Sequence, residues 1–193
     1  TVFILPNVEA DDVIAYVANL FTKKRILVSA DKDYCQLVDD NVVIYNPASK
    51  HLYDRPAVSV RFNGFTPEML AIGRAIEGDT GDGIPGIKGV STKTVYKWLP
   101  DLCSAQSHLT ANEFLTEVKN RYDKEPINTT RGKFLKKLLD NASDLRIFYD
   151  ITELKSGAML PSHLASQIRE TLEKDRPKTN STYFKSYLTK DML

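Results

Sequence analysis

The sequence predicts an α/β protein whose first part combines strands with helices and whose later part is mostly helical. Two observations predict this class. Short apolar runs typical of buried strands alternate with helical periodicity early in the chain, and helical periodicity dominates after a glycine-rich run at residues 78–91. A chain of 193 residues is long enough for one substantial domain with a small addition.

The first predicted elements are a helix and two strands. Apolar residues recur at steps of three and four over residues 9–22, which indicates an amphipathic helix. Arg25–Ser29 reads as a short buried strand, and Val42–Tyr45 is a second strand candidate. Open α/β sheets bind their ligands at the carboxyl ends of such strands, so residues just after the first strand are candidate site residues.

Five further helices are predicted, over residues 66–77, 91–99, 110–122, 130–140 and 161–174. Thr66 followed by Pro67 is a typical helix start, with threonine as the N-cap and proline at the first helical position. Thr110 and Glu113 have the spacing of a capping box at another helix start. Polar residues dominate at the end of the chain, which predicts a loose tail.

The composition indicates a cytoplasmic protein without a membrane span. Hydrophobic residues make up 42% of the chain, and no apolar run approaches the roughly 18 residues that a membrane helix needs. Cys35 and Cys103 lack the spacing of a redox or metal motif, so we expect two buried thiols in a reducing compartment. The three histidines lie far apart in sequence, which argues against a zinc site.

The net charge of +1 divides unevenly along the chain. Residues 1–82 carry 8 basic and 12 acidic side chains, a net charge of −4, whereas residues 83–193 carry 18 and 13, a net charge of +5. An acidic part followed by a basic part favours a metal pocket beside a phosphate-binding surface, although solvated charge is the usual explanation of such a difference.

Carboxylates form three short clusters in the acidic part. The clusters are Glu9, Asp11 and Asp12, then Asp31 and Asp33, then Asp79 and Asp82. Each cluster alone has an ordinary explanation, because acids favour the first turn of a helix, aspartates stabilise turns, and a Gly-Asp-rich run is most often a loop. Together, at the ends of predicted elements, they would repel one another strongly unless cations lay among them.

These clusters suggest a site for two magnesium ions. Carboxylate oxygens are ligands that Mg²⁺ prefers, and two ions about 3.5–4 Å apart can hold the attacking water and the leaving oxygen of one phosphodiester. The residues that we expect to be catalytic are Glu9 and Asp11, serving mainly one ion, and Asp31, Asp33 and Asp79, serving mainly the other. Asp12 and Asp82 are expected to ligate metal through bound water.

A glycine-rich hairpin follows the third cluster and has glycine at every third position. Glycines allow sharp turns and let backbone N–H groups approach a phosphate. An ordinary corner between two helices is the alternative explanation. The expected DNA-binding residues, which would hold the backbone without reading bases, are Gly86, Lys88, Gly89, Ser91, Lys93 and Lys97.

The ordered motifs resemble those of the structure-specific 5′ nucleases, a family of flap endonucleases, bacteriophage 5′–3′ exonucleases and the 5′-nuclease domain of bacterial DNA polymerase I. The resemblance rests on Glu-Ala-Asp-Asp, Ser-Ala-Asp-Lys-Asp-Tyr and Gly-Asp-Thr-Gly-Asp-Gly-Ile-Pro-Gly-Ile-Lys-Gly-Val-Ser-Thr-Lys-Thr, within residues 8–99. It implies a mostly parallel sheet flanked by helices, with a helix-hairpin-helix element. The implied segments are a nuclease core at 1–82, a DNA-binding helical region at 83–175 and a polar tail at 176–193.

The resemblance also implies an activity and its requirements. The implied reaction is hydrolysis of DNA at a 5′ end or 5′ flap, as in replication and primer removal, with Mg²⁺ or Mn²⁺ at the seven acids and K⁺ at the hairpin. The implied partners are branched or 5′-ended duplex DNA, an RNA primer and a replication protein that the tail recruits.

Two features depart from the family pattern. Ser91 stands where a second glycine is common, and it could still cap the following helix. The family also has a stretch ahead of the first motif, with a first strand, two more metal-binding aspartates and a basic arch. We therefore expect a missing N-terminal segment of the same protein, and weak or absent cleavage by these 193 residues alone.

Two other function classes stay open. One is a nuclease-like module that grips branched DNA without cutting it, which the retained acids disfavour. The other is an RNA-cleaving nuclease of a related compact α/β class, which the hairpin disfavours because that element suits a duplex backbone. Cleavage of matched DNA and RNA flaps would discriminate among the three.

Overall fold

The computed structural model describes residues 5, 8–126, 128–154 and 160–174. The chain forms two compact units, a smaller one of Thr1–Thr22 with Gly157–Leu193 and a larger one of Lys23–Ser156. The tail expected at 176–193 lies outside the described residues.

The described residues contain three strands and nine α-helices. The strands are β1 (Arg25–Val28), β2 (Val42–Asn46) and β3 (His51–Tyr53). The helices are α1 (Ala10–Leu20), α2 (Arg55–Arg61), α3 (Leu70–Glu77), α4 (Thr92–Trp98), α5 (Pro100–Cys103), α6 (Ala111–Tyr122), α7 (Thr130–Asp140), α8 (Ala142–Thr152) and α9 (Ser162–Lys174). Short 3₁₀ helices span Asp33–Leu37 and Pro67–Met69.

The sheet of the larger unit is three-stranded and mixed, in the order β1-β2-β3. β1 and β2 are parallel, with Arg25 opposite Val42, and β2 and β3 are antiparallel, with Ile44 opposite Tyr53. In the described part of the chain one strand pair is parallel and the other is antiparallel, which corrects the prediction of a mostly parallel sheet. The short link from β2 to β3 contains Lys50 in the left-handed region, and so short a link can only return the chain antiparallel.

Alternation of side chains explains which face of the sheet packs inward. In β2, Val42 and Ile44 are buried at 2% and 1% exposure, and the residues between them are less buried. In β1 the prediction of a buried strand was wrong, because none of its four residues is buried and Ile26 and Val28 are 40% and 65% exposed. Because successive strand residues point to opposite faces, a buried strand of this length keeps one apolar face in the core.

Helices build the rest of the larger unit. α3 packs against α8, and α6 packs against α7 and α8. Every residue of α3 from Leu70 to Ile76 is buried, so this helix runs through the core. The predicted capping box is confirmed, since the Thr110 hydroxyl accepts from the backbone of Glu113 and the Glu113 carboxylate accepts from the Thr110 backbone at 2.8 Å.

The smaller unit joins α1 and α9 through their apolar faces. Val13 and Tyr16 of α1 form a buried cluster with Ile168 of α9. The Arg169 side chain donates a hydrogen bond from Nε to the Tyr16 hydroxyl at 2.9 Å. The two helices that sequence periodicity predicts at the ends of the chain therefore pack together.

Several elements differ from the sequence prediction. β3, α2 and α8 were not predicted, and Pro100 begins α5 directly after α4 because proline suits the first turn of a helix. Cys35 and Cys103 are buried free thiols, as expected. Among the described residues, no helix is both long and apolar enough to cross a membrane.

Candidate functional site

A tight loop after α3 presents two of the predicted acids. The Asp79 backbone N–H donates to the Ile84 carbonyl at 2.8 Å, and the Ile84 N–H donates to the Asp79 carbonyl at 2.7 Å. The Asp79 carboxylate also accepts a hydrogen bond from the Gly81 backbone at 2.8 Å. These bonds hold the Asp79 side chain, which is only 13% exposed, while Asp82 is exposed within the same loop.

Asp33 brings a third carboxylate to this loop. It begins the 3₁₀ helix Asp33–Leu37, which follows β1. One carboxylate oxygen from each of Asp33, Asp79 and Asp82 lies within 4.8 Å of the other two. Acids from two separate chain segments therefore meet at one place in the larger unit.

Two basic side chains contact this group of acids. Arg74 of α3 is 8% exposed; its Nε lies 2.8 Å from Asp33 Oδ1, and its Nη2 contacts Asp79 Oδ2. Lys32 Nζ lies 3.4 Å from Asp79 Oδ2. The protein itself therefore supplies part of the positive charge that clustered acids require.

Sequence analysis did not single out Arg74, although a signal was present. The residue stands inside an otherwise apolar helix, five positions before Asp79, and a fully charged side chain is rarely buried without an acidic partner. The sequence could therefore have predicted an ion pair between this arginine and an aspartate of the Gly-Asp loop that follows α3.

Burial shifts the ionisation of one acid of the group. Desolvation raises the pKa of Asp33 above its ordinary value of 3.8, and the positive charge of Arg74 opposes this rise. The negative charge of Asp31 adds to the rise, and Lys32 opposes it. A cation that enters here competes with a proton on Asp33 as well as with the guanidinium.

Asp31 has a local structural role in the described structure. Its Oδ1 accepts a hydrogen bond from the Asp33 backbone at 2.9 Å, and its own N–H donates to the Ser29 hydroxyl at 3.1 Å. This is an aspartate turn, the alternative that the sequence left open, and it directs the chain from β1 into the following 3₁₀ helix. Asp31 is exposed and is not one of the three acids within 4.8 Å, so its metal role stays a prediction.

The first predicted cluster belongs to the smaller unit. Glu9 is the exposed N-cap residue of α1, and Asp11 and Asp12 lie half-buried in the first turn. Acids are stabilised at this end of a helix by its dipole, which is the ordinary explanation for such residues. Their role as metal ligands stays a prediction.

The hairpin after Asp82 depends on close backbone contact. Gly86 has a φ of +67°, and a Cβ built there would lie 2.6 Å from the Ile76 carbonyl oxygen. The next residue, Ile87, donates its N–H to the same carbonyl at 2.8 Å. Gly89 also has a positive φ, of +69°. Glycine at position 86 thus lets the hairpin press against the end of α3.

The predicted DNA-binding side chains lie on the hairpin and α4. Ser91 caps α4, as predicted, since its hydroxyl accepts from the Thr94 backbone at 3.3 Å. Lys88 and Lys93 are exposed, and neither makes an ion pair with any described residue. Lys97 lies 4.8 Å from the centre of the neighbouring indole ring. These amino groups can reach solvent and therefore an acidic partner.

The donor set of the larger unit suits a hard divalent cation. Asp33, Asp79 and Asp82 offer carboxylate oxygens only, which is the chemistry that Mg²⁺ and Mn²⁺ prefer. The half-buried Asp33 and Asp79 would be the inner ligands, with the exposed Asp82 at the rim. The residues present therefore fit a metal ion.

Comparison with known proteins agrees with this site chemistry. A family model described as the N-terminal resolvase-like domain of 5′-3′ exonucleases matches residues 1–63. A 5′-3′ exonuclease of Aquifex aeolicus (strain VF5) is 40% identical over 108 residues, which cover 54% of this chain and 37% of that protein. Over the matched residues the chain is similar to 5′-3′ exonucleases.

Two solved structures share the fold of this chain. T5 5′-exonuclease with bound divalent metal ions (zinc) has a TM-score of 0.63 and 21% identity, and the match covers 81% of this chain and 54% of that chain. A bacteriophage T5 D15 flap endonuclease, in a pseudo-enzyme–product complex with DNA and metal ions, has a TM-score of 0.61 and 23% identity, covering 81% and 53%. The chain spans little more than a third of the Aquifex relative and about half of the T5 chains.

Proposed function

We propose that the protein hydrolyses phosphodiester bonds of DNA at a 5′ end or a 5′ flap, with divalent metal ions. The observation that carries the proposal is the meeting of Asp33, Asp79 and Asp82 within 4.8 Å, immediately before a hairpin and helix whose Lys88 and Lys93 form no ion pair with any described residue. The similarity to 5′-3′ exonucleases, and the DNA and metal ions of the T5 complex that shares this fold, support it.

Mg²⁺ is the proposed physiological ion, and Mn²⁺ can substitute for it. When bound, the metal lowers the pKa of a water and neutralises charge on the phosphate. Asp33, Asp79 and Asp82 would hold the ion. Arg74 keeps the Asp33 and Asp79 carboxylates in one orientation, because it contacts both from a buried position on α3. Lys32 reduces the negative charge that a phosphate meets at Asp79.

The remaining proposed metal ligands are Glu9, Asp11, Asp12 and Asp31. Glu9 and Asp11 would serve mainly a second ion, with Asp12 acting through bound water, and Asp31 would serve mainly the ion of Asp33 and Asp79. Two ions, held by acids from separate segments of the chain, can stabilise both the attacking and the leaving oxygen of one phosphodiester.

The hairpin and α4 form the proposed DNA interface. Lys88, Lys93 and Lys97 contact phosphates, and the backbone at Gly86 and Gly89 lets the strand approach closely. A K⁺ ion at the hairpin belongs to the same proposal. Phosphate contacts carry no base information, so we expect binding without sequence preference. An RNA primer strand and a replication protein are the further partners proposed.

The first experiment separates cutting from binding. In the complete enzyme, with the expected N-terminal segment restored, Asp79→Ala should abolish cleavage of a 5′-flap substrate in Mg²⁺ and leave DNA binding nearly intact, because it removes a metal ligand that also repels phosphate. Asp144→Ala, at an exposed acid of α8, is the matched control and should cut normally. Cleavage by the Asp79 variant at the control's rate would contradict the proposal.

The second experiment tests the DNA interface. Lys88→Ala and Lys93→Ala should weaken binding equally across sequences and flatten the salt dependence by about one unit each, because each lysine neutralises one phosphate. Lys119→Ala, an exposed lysine of α6 that is paired with Asp123, is the control. A loss that depends on base sequence would argue against a backbone interface.

A second candidate function is branched-DNA binding without cleavage. The contacts of Arg74 and Lys32 favour it, since they offset part of the acidic charge without a metal ion. This candidate predicts DNA affinity that Mn²⁺ does not change and no product with DNA or RNA flaps. Calorimetric titration with Mn²⁺, run beside the flap assay, discriminates the two functions.

A further inference from the structure

A cleft of about 520 Å³ opens beside the acids of the larger unit. The end of α2 forms one wall, the loop that carries Asp79 forms another, and Lys32 and Arg74 lie between them. Its lining includes three basic side chains, the third being Arg61, and two acidic ones, Asp79 and Glu77. The cleft therefore has net positive formal charge even though it adjoins an acidic group.

Most of this charge is already paired. Lys32 and Arg74 contact Asp79, and the Glu77 carboxylate accepts a hydrogen bond from the Thr92 hydroxyl at 3.3 Å. Arg61 is different, because it makes no ion pair with any carboxylate in the described part of the chain. The positive charge that remains for a ligand of the cleft is therefore that of Arg61.

Aromatic contacts hold the Arg61 guanidinium in place. Its Nη1 donates a hydrogen bond to the Tyr53 hydroxyl at 3.0 Å, and its central carbon lies 5.2 Å from the Tyr53 ring centre and 5.6 Å from that of Phe62. One of five N–H donors is used, which leaves donors for a planar, bidentate acceptor. A guanidinium that is already oriented loses less side-chain entropy on binding than a free one.

The wall that carries Arg61 is also fixed to the rest of the site. The turn after α2 contains Asn63 in the left-handed region, with a φ of +55°. The Asn63 amide donates to the Thr92 hydroxyl at 2.8 Å, and that hydroxyl donates in turn to Glu77 at the end of α3. The turn, α4 and α3 are thus tied together around the cleft.

We infer that this cleft is a phosphate-binding subsite in which Arg61 holds a phosphate of the nucleic-acid strand next to the acidic group. The inference rests on the proposed function and adds the residue that positions the strand. Two sources share this ligand chemistry, an internal phosphodiester of a continuous strand and a terminal 5′-phosphate. Arg61 is a positioning residue, because it would act on the strand beside the cut.

The test measures binding of short oligothymidylates, with a 5′-phosphate or a 5′-hydroxyl, in EDTA, so that no result depends on metal or on cleavage. Arg61→Met keeps the apolar stem and should weaken binding about tenfold, the size expected for a lost charged hydrogen bond. The salt slope should fall by about 0.7, the value for one phosphate of a single strand. Arg61→Lys should recover the slope and only part of the affinity.

Matched variants keep the inference testable. Arg146→Met replaces an exposed arginine of α8 that does not line the cleft, and it should bind as the parent does. Tyr53→Phe removes only the hydroxyl that braces Arg61 and should cost a few-fold in affinity, so the idea can be tested even if Arg61→Met folds poorly. A 5′-phosphate preference that disappears with Arg61→Met identifies the terminal phosphate, and an equal loss with both oligonucleotides identifies the internal one. Parent-like affinity and salt slope in Arg61→Met would overturn the subsite, whereas absent flap cleavage by the complete enzyme, with intact Arg61-dependent binding, would overturn only the proposed function.

Discussion

Replacing Gly86 by alanine should destabilise the larger unit through two separable effects. The residue has a φ of +67°, a conformation that costs an L-residue roughly 1–2 kcal/mol. The new Cβ would also lie 2.6 Å from the carbonyl oxygen of Ile76, and such overpacking costs about 1–3 kcal/mol. Restricting the unfolded chain gains roughly 0.4–1 kcal/mol, so the expected loss of stability is on the order of 1–5 kcal/mol.

Gly83→Ala is the matched control for this prediction. Gly83 has a φ of +69°, but a Cβ there meets no atom within 4 Å. The backbone strain and the unfolded-state gain are therefore shared, and the two variants should differ by the clash alone, about 1–3 kcal/mol.

Urea unfolding in EDTA, followed by the fluorescence of Trp98, measures this difference. Trp98 is the single tryptophan of the chain and lies on α4, directly after the hairpin, so its signal reports the larger unit. At an ordinary urea dependence the midpoint of Gly86→Ala should lie about 0.5–1.5 M below that of Gly83→Ala. Equal midpoints would refute the claim that the hairpin is pressed against α3 at Gly86.

Two further predictions concern buried polar groups. Arg74→Met should destabilise the metal-free protein by about 3–5 kcal/mol, because Asp33 and Asp79 lose the buried cation that they contact. For the same reason Mn²⁺ should stabilise this variant more than it stabilises the parent. The control is Arg121→Met, which breaks an ion pair with a largely exposed partner and should cost about 0–1 kcal/mol, with or without the metal. Thermal melts with and without Mn²⁺ check both, and equal Mn²⁺ stabilisation of parent and Arg74→Met would contradict the first. Burial raises the pKa of Cys35 to about 11 and the pKa of Cys103 to about 12, so at pH 8 no more than about one thiol in a thousand is ionised. Native protein should therefore react with Ellman's reagent at least about a hundredfold more slowly than urea-unfolded protein, with rates that rise as pH rises, and a fast native thiol would contradict this burial.

Local signals in the chain predicted most of the helices. The pairing of Thr110 with Glu113 and the apolar spacing over residues 9–22 depend on contacts within a few positions, so they can be read without the fold. The unpredicted α2 also had such a signal, because Asp54 caps it from the position before Arg55 and Pro56 lies in its first turn. The antiparallel β3 is three residues long and half exposed, which is too short for a periodic pattern.

The candidate site was predictable in its chemistry but less so in its membership. The acids could be found because many carboxylates near strand and helix ends need a counter-charge, and three of them do meet. Asp31 accepts a hydrogen bond within its own turn, which only the geometry of the fold reveals, and its role as a metal ligand stays a prediction. The sequence did not predict a role for Arg61 or Arg74, because the role of an arginine depends on which residues it contacts in the folded chain.

The sequence by itself determined the residue types that can hold a divalent cation and a phosphate, the order in which they occur, and the helices that carry many of them. Chemistry of that kind belongs to single side chains and to neighbours a few positions apart. Only the tertiary structure decided that a buried guanidinium contacts the acids of the larger unit, and that Arg61, which has no carboxylate partner among the described residues, lines the adjoining cleft. Such contacts join residues that are far apart in the chain. The strength of a charge interaction depends on the distance between the groups and on their burial, and neither can be predicted from neighbouring residues in the sequence.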